Sequence, residues 1–277
     1  MNADADGSSS RGNRSGPALD GLRLALGTLT TMPVPAPRSL TRPVAARAML
    51  LAPVAAVPLA LLTAAVLAAA DAARLPSIAA GAVAVGSLAL ASRGLHLDGL
   101  ADTADGLASS YDRERALTVM RSGDVGPAGA ATTVVVLLVQ VACLASVSAA
   151  PSDGRGITRL ATGVVVAVLL SRCVLPLACG RGVPSARTSG LGATVAGSVP
   201  RAVAAVPLLL IAGCGGMALA WAGLDWWRAP VAALAAVLVT SAVVVRCTRR
   251  LGGITGDVLG ACVELSLGAT LLVLAAG

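Results

Sequence analysis

Three aspartates, Asp98, Asp102 and Asp105, stand four and three residues apart in the segment GLHLDGLADTADGL. A helix advances about 100° per residue, so these spacings put the three carboxylates on one narrow face. Like charges at such spacings repel one another, and the arrangement therefore needs a compensating cation. Mg²⁺ prefers hard oxygen ligands and often completes its shell with substrate phosphates. The spacing predicts a magnesium site for phosphate chemistry at these three aspartates.

The acidic residues of the chain are few and concentrated. Of the fourteen in the whole sequence, six lie between Asp98 and Asp124. A solvated acidic face is the alternative interpretation, because charge runs are often only that. The scarcity of acids in the rest of the chain favours a site.

His96, the only histidine, stands two residues before the first aspartate. A neutral imidazole at that place is suited to act as a general base or to hold an aspartate in position. If the helix already includes residues 94–98, however, His96 points away from the aspartate face. The predicted catalytic set is His96, Asp98, Asp102 and Asp105, with a structural histidine as the alternative.

Two later segments carry weaker signals for a phosphate or substrate site. In MRSGDVGPAG, residues 120–129, a glycine-rich turn with Gly126 enters a helix whose N–H groups are suited to phosphate; a simple loop is the alternative. Near the C-terminus, Asp257 and Glu264 share a helix face, with Glu264 about 10 Å deeper in the membrane. Arg172 is the candidate partner of Glu264, and a purely structural ion pair is the alternative.

Most of the chain is too apolar for a soluble protein of its length. Of the 277 residues, 56% are hydrophobic and 13% are charged, with a mean hydropathy of +0.83. About 17 to 25 residues cross a bilayer as a helix, and seven stretches qualify, at 48–70, 75–92, 125–152, 160–180, 202–224, 229–245 and 258–277. The sequence predicts an all-α, polytopic membrane bundle with its active site at the cytoplasmic edge.

All 21 basic residues are arginines, and their distribution predicts the topology. Sixteen lie before the first predicted span or in the 2/3, 4/5 and 6/7 connections, whereas the alternate connections hold four. The positive-inside rule places the N-terminus in the cytoplasm of a cell (plasma or inner) membrane and the C-terminus outside. The net charge of +7 does not indicate nucleic-acid binding, because the arginines are spread over loops.

The remaining features concern organisation more than chemistry. Residues 1–17 have the composition of a disordered tail. Residues 18–277 are expected to form one membrane domain that opens with an interfacial helix at about 19–31. The long loop at 180–201 is of a kind that is usually functional or mobile. The six cysteines fit packing residues, the three tryptophans fit interface anchors, and the number of subunits stays open, a homo-oligomer included.

Taken together, the motifs resemble the cobalamin synthase family, the adenosylcobinamide-GDP ribazoletransferases. The resemblance rests on GLHLDGLADTADGL at 94–107, MRSGDVGPAG at 120–129 and GGITGDVLGACVEL at 252–265. Shorter matches lie at Thr31, at the Arg-Glu-Arg of 113–115, at 171–172 and at 186–192. The HxDGxxDxxDG core and the TGDxxGAxxE segment are more specific together than either motif alone.

The resemblance implies a transferase that joins adenosylcobinamide-GDP to α-ribazole, or to its 5'-phosphate, and releases GMP. In this hypothesis Mg²⁺ on the three aspartates neutralises the pyrophosphate while a ribose hydroxyl attacks phosphorus. His96 or an aspartate accepts the hydroxyl proton, and arginines pair with phosphate. The predicted substrate- and phosphate-binding residues are Arg115, Arg121, Gly126, Arg187, Asp257 and Glu264.

Two other functions fit parts of the pattern. The aspartate spacing has a looser similarity to the CDP-alcohol phosphotransferases, but the Ala-Arg of their DGxxAR motif does not follow Asp98 and Gly99. A cation transporter lined with acids is the second alternative. Transporters place their key acids near the bilayer midplane and often show paired repeats, whereas most acids here lie at the predicted cytoplasmic edge.

Overall fold

A computed structural model describes residues 16–109, 111–148 and 155–276, which contain helices, turns and two single β-bridges but no β-strand. The helices of these ranges are α1 (Pro17–Leu29), α2 (Arg42–Leu50), α3 (Ala52–Ala55), α4 (Val57–Ala72), α5 (Ser77–Ala91), α6 (Leu95–Ser109), α7 (Arg113–Val119), α8 (Pro127–Ser148), α9 (Gly156–Ala178), α10 (Leu191–Val195), α11 (Arg201–Ala204), α12 (Val206–Trp221), α13 (Arg228–Leu251) and α14 (Gly256–Ala275).

Six helical stretches of the described residues are long and apolar enough to cross a membrane: Ala52–Ala72, Pro127–Ser146, Gly156–Ala178, Arg201–Trp221, Arg228–Leu251 and Gly256–Ala275. A seventh crossing exists if α5 and α6, which meet at 90°, count as one broken span. Each predicted apolar stretch therefore corresponds to one of these elements. The prediction of an all-α, polytopic membrane bundle is confirmed.

Proline residues interrupt two of the spans where the sequence places them. Pro53 and Pro58 each occupy the second position of a helix, at the starts of α3 and α4. Pro207 does the same at the start of α12. A proline is tolerated there because its missing N–H belongs to a helix turn that has no acceptor for it. The first span is accordingly divided into two helices, α3 and α4, each with a proline in its first turn.

The turn between α5 and α6 sets the direction of the aspartate helix. Arg93 and Gly94 both adopt left-handed backbone angles, with φ of 59° and 65°. The end of α1 braces this turn, since Thr31 N–H donates to the Ala91 carbonyl at 2.8 Å and the Arg93 guanidinium donates to the Gly27 carbonyl. The chain thus leaves the direction of α5 and carries α6 across one end of the bundle.

Helices α9 and α14 form the centre of the bundle. In each of them 72% of the apolar stretch is buried, compared with 28% to 44% in the other four spans. Helix α14 contacts α6, α8, α9, α10 and α13. Whatever α14 carries at its N-terminal end is consequently held at a fixed place among these neighbours.

Helix α6 packs directly onto the backbone of α14 through glycines. A Cβ at Gly99 would lie 2.6 Å from the Asp257 carbonyl oxygen, and one at Gly260 would lie 3.1 Å from the His96 carbonyl oxygen. Helices approach this closely only where small residues face each other. The two glycines therefore fix α6 beside the first turns of α14.

The two ends of the bundle differ in character. At one end lie α6, the start of α14, the loop after α9, and the helices α1 and α2; we call it the acidic end. At the other end Trp221, Trp226 and Trp227 are exposed near the arginines that begin α9, as expected for interface anchors. The predicted interfacial helix is α1, which begins at Pro17; most of the predicted disordered tail, residues 1–17, lies outside the described residues.

The close approach of α6 and α14 makes a stability prediction. Gly99→Ala should lower the free energy of unfolding by about 1–3 kcal/mol, because the added methyl group overpacks against backbone. Gly86→Ala is the matched control, since nothing lies within 4 Å of a Cβ there and alanine favours a helix by up to about 1 kcal/mol. Thermal unfolding in detergent measures both variants, and equal midpoints would contradict the contact.

Candidate active site

Asp98 and Asp102 lie on the accessible side of α6. Asp98 is exposed and Asp102 is partly buried, one helical turn further along. Asp102 lies close enough to Asp98 and Asp257 for their negative charges to act on it. Asp257 comes from the first turn of α14. We call these three residues the acidic cluster; two helices supply it.

The carboxylate of Asp257 is held by its own helix terminus and by one arginine. Thr255 caps α14 by accepting a hydrogen bond from Val258 N–H at 3.2 Å, and its hydroxyl donates to Asp257 Oδ2 at 3.1 Å. Arg187 Nη1 lies 3.3 Å from the same oxygen. The side chains of Arg187 and Asp257 are partly exposed, so a ligand at the cluster can contact them.

Arg187 reaches the cluster because the loop after α9 pairs with the segment before α14. Ile254 N–H donates to the Pro184 carbonyl and Ala186 N–H donates to the Ile254 carbonyl, both at 2.9 Å. The contact requires glycine at 253, where φ is 159° and a Cβ would collide with the Pro184 carbonyl. The structure thus brings Arg187 to Asp257, and its binding of phosphate stays a prediction.

Asp105 has a different role from the other two aspartates of its stripe. Its side chain is 7% exposed, and its two oxygens accept the N–H groups of Gly126 and Gly129 at 2.7 and 2.8 Å. These N–H groups lie at the start of α8, where the positive end of the helix dipole stabilises a carboxylate. Asp105 thus ties α6 to α8, and the phosphate predicted at Gly126 is replaced by this carboxylate.

The predicted metal site of Asp98, Asp102 and Asp105 needs a correction for the same reason. In the described part of the chain, no group of three or more His, Cys, Asp or Glu side chains is placed to hold a metal ion. Asp105 turns toward the α8 terminus and is buried there, whereas Asp98 and Asp102 remain accessible. Two aspartates of the stripe are left for a cation.

His96 also lies apart from the acidic cluster. It belongs to α6, so its imidazole projects about 200° away from Asp98 around the helix axis. Its side chain is 3% exposed, neither ring nitrogen has a hydrogen-bond partner among the described residues, and the charge of Arg172 acts on it. The buried face of the helix holds His96, and we do not assign it the role of general base.

Glu264 is buried in the bundle, where it is 5% exposed and accepts a hydrogen bond from Gln140 Nε2 at 2.9 Å. This bond links α8 to α14. The fully buried Arg172 of α9 lies near enough for its charge to act on Glu264, and its Nη1 donates to the Ser171 hydroxyl at 2.7 Å. The binding of substrate by Glu264 stays a prediction.

Arg115 and Arg121 are exposed on the α7 segment at the acidic end, and their binding of phosphate stays a prediction. The carboxylate of Asp112 caps α7 by accepting Arg115 N–H at 2.8 Å. Sequence reasoning missed Arg113, whose Nη2 donates to the Ala186 carbonyl at 3.1 Å. Nothing in its local sequence distinguishes Arg113 from the neighbouring arginines.

The chain matches the family model described as cobalamin-5-phosphate synthase over residues 21–275. The chain belongs to the cobalamin-5-phosphate synthase family. An adenosylcobinamide-GDP ribazoletransferase of Nocardioides sp. is 50% identical over 93% of this chain and 99% of its own length. Relatives of the same name from Frankia casuarinae and Chlorobaculum parvum are 38% and 39% identical, covering 91% and 63% of this chain and 93% and 64% of their own lengths. No solved structure matches the chain.

Membership of the cobalamin-5-phosphate synthase family confirms the resemblance seen in the motifs. It also favours the transferase over the CDP-alcohol phosphotransferase and the cation transporter. Within this family member, the HxDGxxDxxDG motif divides its residues between two faces of α6. Asp98 and Asp102 belong to the acidic cluster, while His96 is buried on the other face and Asp105 bonds to the start of α8.

Asp105→Asn should destabilise the protein. The asparagine amide would accept only one of the N–H groups of Gly126 and Gly129 and would point its own NH₂ group at the other. The loss should be about 1–3 kcal/mol, as for a buried donor left without an acceptor. Thermal unfolding in detergent measures it, with Asp98→Asn as the control that keeps the wild-type midpoint. An Asp105→Asn protein of wild-type stability that lacks activity would instead support a direct role in the reaction.

Proposed function

We propose that this chain catalyses the adenosylcobinamide-GDP ribazoletransferase reaction at the acidic end of the bundle. The observation that carries the proposal is the family match across nearly the whole chain, together with relatives of that name. The acidic cluster and Arg187 supply accessible groups suited to phosphate chemistry beside the same motifs. The reaction belongs to the assembly of the nucleotide loop in cobalamin biosynthesis.

The reaction replaces a phosphoanhydride bond by a phosphate ester bond. A ribose hydroxyl of α-ribazole, or of its 5'-phosphate, attacks the phosphorus that is attached to the corrinoid side. The new P–O bond forms as the bond from that phosphorus to the bridging oxygen of the pyrophosphate breaks. GMP departs with the bonding electron pair. The hydroxyl proton passes to a base, and the product is adenosylcobalamin or its 5'-phosphate.

Two carboxylates of the acidic cluster, Asp98 and Asp102, are suited to a divalent cation such as Mg²⁺. Asp98 and Asp102 offer hard carboxylate oxygens, and the negative charges of Asp98 and Asp257 act on Asp102 with Arg187 offsetting them. Magnesium is commonly bound by one or two carboxylates, with waters and substrate phosphates as further ligands. Asp98 and Asp102 would hold the ion. When bound, it would neutralise the pyrophosphate and the charge that develops on GMP.

The side chains of this chain provide the remaining functions. Arg187 is placed to bind a phosphate oxygen, because its guanidinium lies at the cluster and presents a rigid fork of donors. Thr255 and Asp257 keep that guanidinium oriented. Asp98 or Asp102 accepts the hydroxyl proton, since His96 is buried on the other face of α6.

We further propose that the acidic end faces the cytoplasm of the cell membrane, with the N-terminus inside. Arginines support this orientation: the connections at the acidic end carry most of them, and the opposite connections carry four. The substrates would then reach the cluster from the cytoplasm without crossing the bilayer.

Asp98→Asn and Asp102→Asn proteins should fold and insert normally yet lose Mg²⁺-dependent GMP release from adenosylcobinamide-GDP and α-ribazole. We expect a fall of at least about a hundredfold, in the range found when a transition-state contact is removed. Asp71→Asn, an exposed aspartate at the other end of α4, is the control that keeps full activity. Full activity of either cluster variant would remove the proposed cation site.

A reporter fused to the C-terminus tests the orientation. Alkaline phosphatase is active only outside the cytoplasm, and a chain with seven crossings and a cytoplasmic N-terminus should carry it outside in active form. The same reporter placed in the loop at 180–201 should be inactive. The reverse pattern would place the acidic end outside.

A further inference from the structure

A second concave site lies at the acidic end, on the far side of the loop that follows α9. One hollow of about 430 Å³ is lined by Arg42, Arg181 and Ser185, and an adjoining one shares Arg181 and adds Arg201. Cavities of roughly 300–1,000 Å³ are typical of small-molecule sites. We call this place the arginine pocket, after Arg42, Arg181 and Arg201.

Among the described residues, no carboxylate compensates the positive charge of the arginine pocket. The sequence holds no aspartate or glutamate in residues 21–70 or 154–224, which supply the pocket. In the ranges that the structure describes, no carboxylate pairs with Arg42, Arg181 or Arg201, and all three are exposed. Each of the two adjoining hollows is therefore lined by two arginines that no described carboxylate pairs with, and such an arrangement favours a bound anion.

The backbone of the loop after α9 fixes the positions of Arg181 and Arg201. Arg181 N–H donates to the Val199 carbonyl at 2.8 Å, next to a β-bridge between Gly180 and Val199. Gly182 has a φ of 96°, and a Cβ there would lie 2.6 Å from Nη2 of Arg201. The guanidinium of Arg201 therefore lies against Gly182, and the loop ends stay together at the rim of the pocket.

The arginine pocket and the acidic cluster are joined by three consecutive residues. Ser185 lines the pocket, and its hydroxyl donates to the Arg187 carbonyl at 2.7 Å. Arg187 in turn lies 3.3 Å from Asp257 in the cluster. The segment 185–187 thus lies between the arginine pocket and the acidic cluster.

We propose that the arginine pocket binds the 5'-phosphate of the ribazole acceptor, an inference that rests on the proposed function. The two substrates offer two phosphate groupings, the pyrophosphate of the donor and the 5'-phosphate of the acceptor. The pyrophosphate reacts and belongs at the acidic cluster. The 5'-phosphate passes unchanged into the product, and a pocket of arginines without carboxylates binds such a dianion directly.

The pocket would make the enzyme prefer the phosphorylated acceptor, and a pair of acceptors tests this. GMP release is measured with α-ribazole and with α-ribazole 5'-phosphate, using full-length protein in phosphatidylcholine nanodiscs. Arg42→Gln and Arg181→Gln should each raise KM for the phosphorylated acceptor about tenfold to a hundredfold, as expected for a lost hydrogen bond to a charged group. KM for α-ribazole and for the donor should stay at the wild-type value.

Arg74→Gln is the matched control, since Arg74 is an exposed arginine at the opposite end of α4 and should leave both acceptors unaffected. Equal losses with both acceptors, or no loss with either, would overturn the inference. An effect seen only in nanodiscs that contain phosphatidylglycerol would assign the pocket to a lipid headgroup and overturn it as well. Absence of GMP release by the wild-type protein with either acceptor would instead reject the proposed function.

Discussion

The contact between the backbones of α6 and α14 is the constraint on which the site depends. Gly99 and Gly260 let the two helices approach until only glycine fits between them. Asp98 and Asp102 thereby come within range of Asp257, a residue more than 150 positions later in the chain. A bulkier interface would separate these carboxylates, and the electrostatic interaction among them would weaken with distance.

The placement of α6 also divides its polar residues by function. Its aspartates follow one helical stripe, yet two of them remain accessible while Asp105 is buried against the start of α8. His96 occupies the opposite, buried face. Anchoring α6 on both sides holds Asp98 and Asp102 still, and a rigid helix positions reacting groups better than a loop does.

The loop after α9 joins the two charged sites. Its pairing with Ile254 brings Arg187 to the acidic cluster, and its other side carries Arg181 and Arg201. Negative charge suited to a metal ion and positive charge suited to phosphate are thus separated by a few residues. In the mechanism that we propose, this division would let one substrate group bind next to a cation while another binds to arginine alone.

The sequence by itself determined the membrane spans, since the length of an apolar run decides whether a helix can cross hydrocarbon. It also determined the aspartate stripe of α6, because helical periodicity assigns residues to faces, and the combined motifs that identify the family. Only the tertiary structure decided which neighbour covers each part of a face. Periodicity contains no information about distant segments of the chain. Packing therefore decided three features: Asp105 caps α8, Asp257 lies near Asp98 and Asp102, and Arg42 and Arg181 line one pocket.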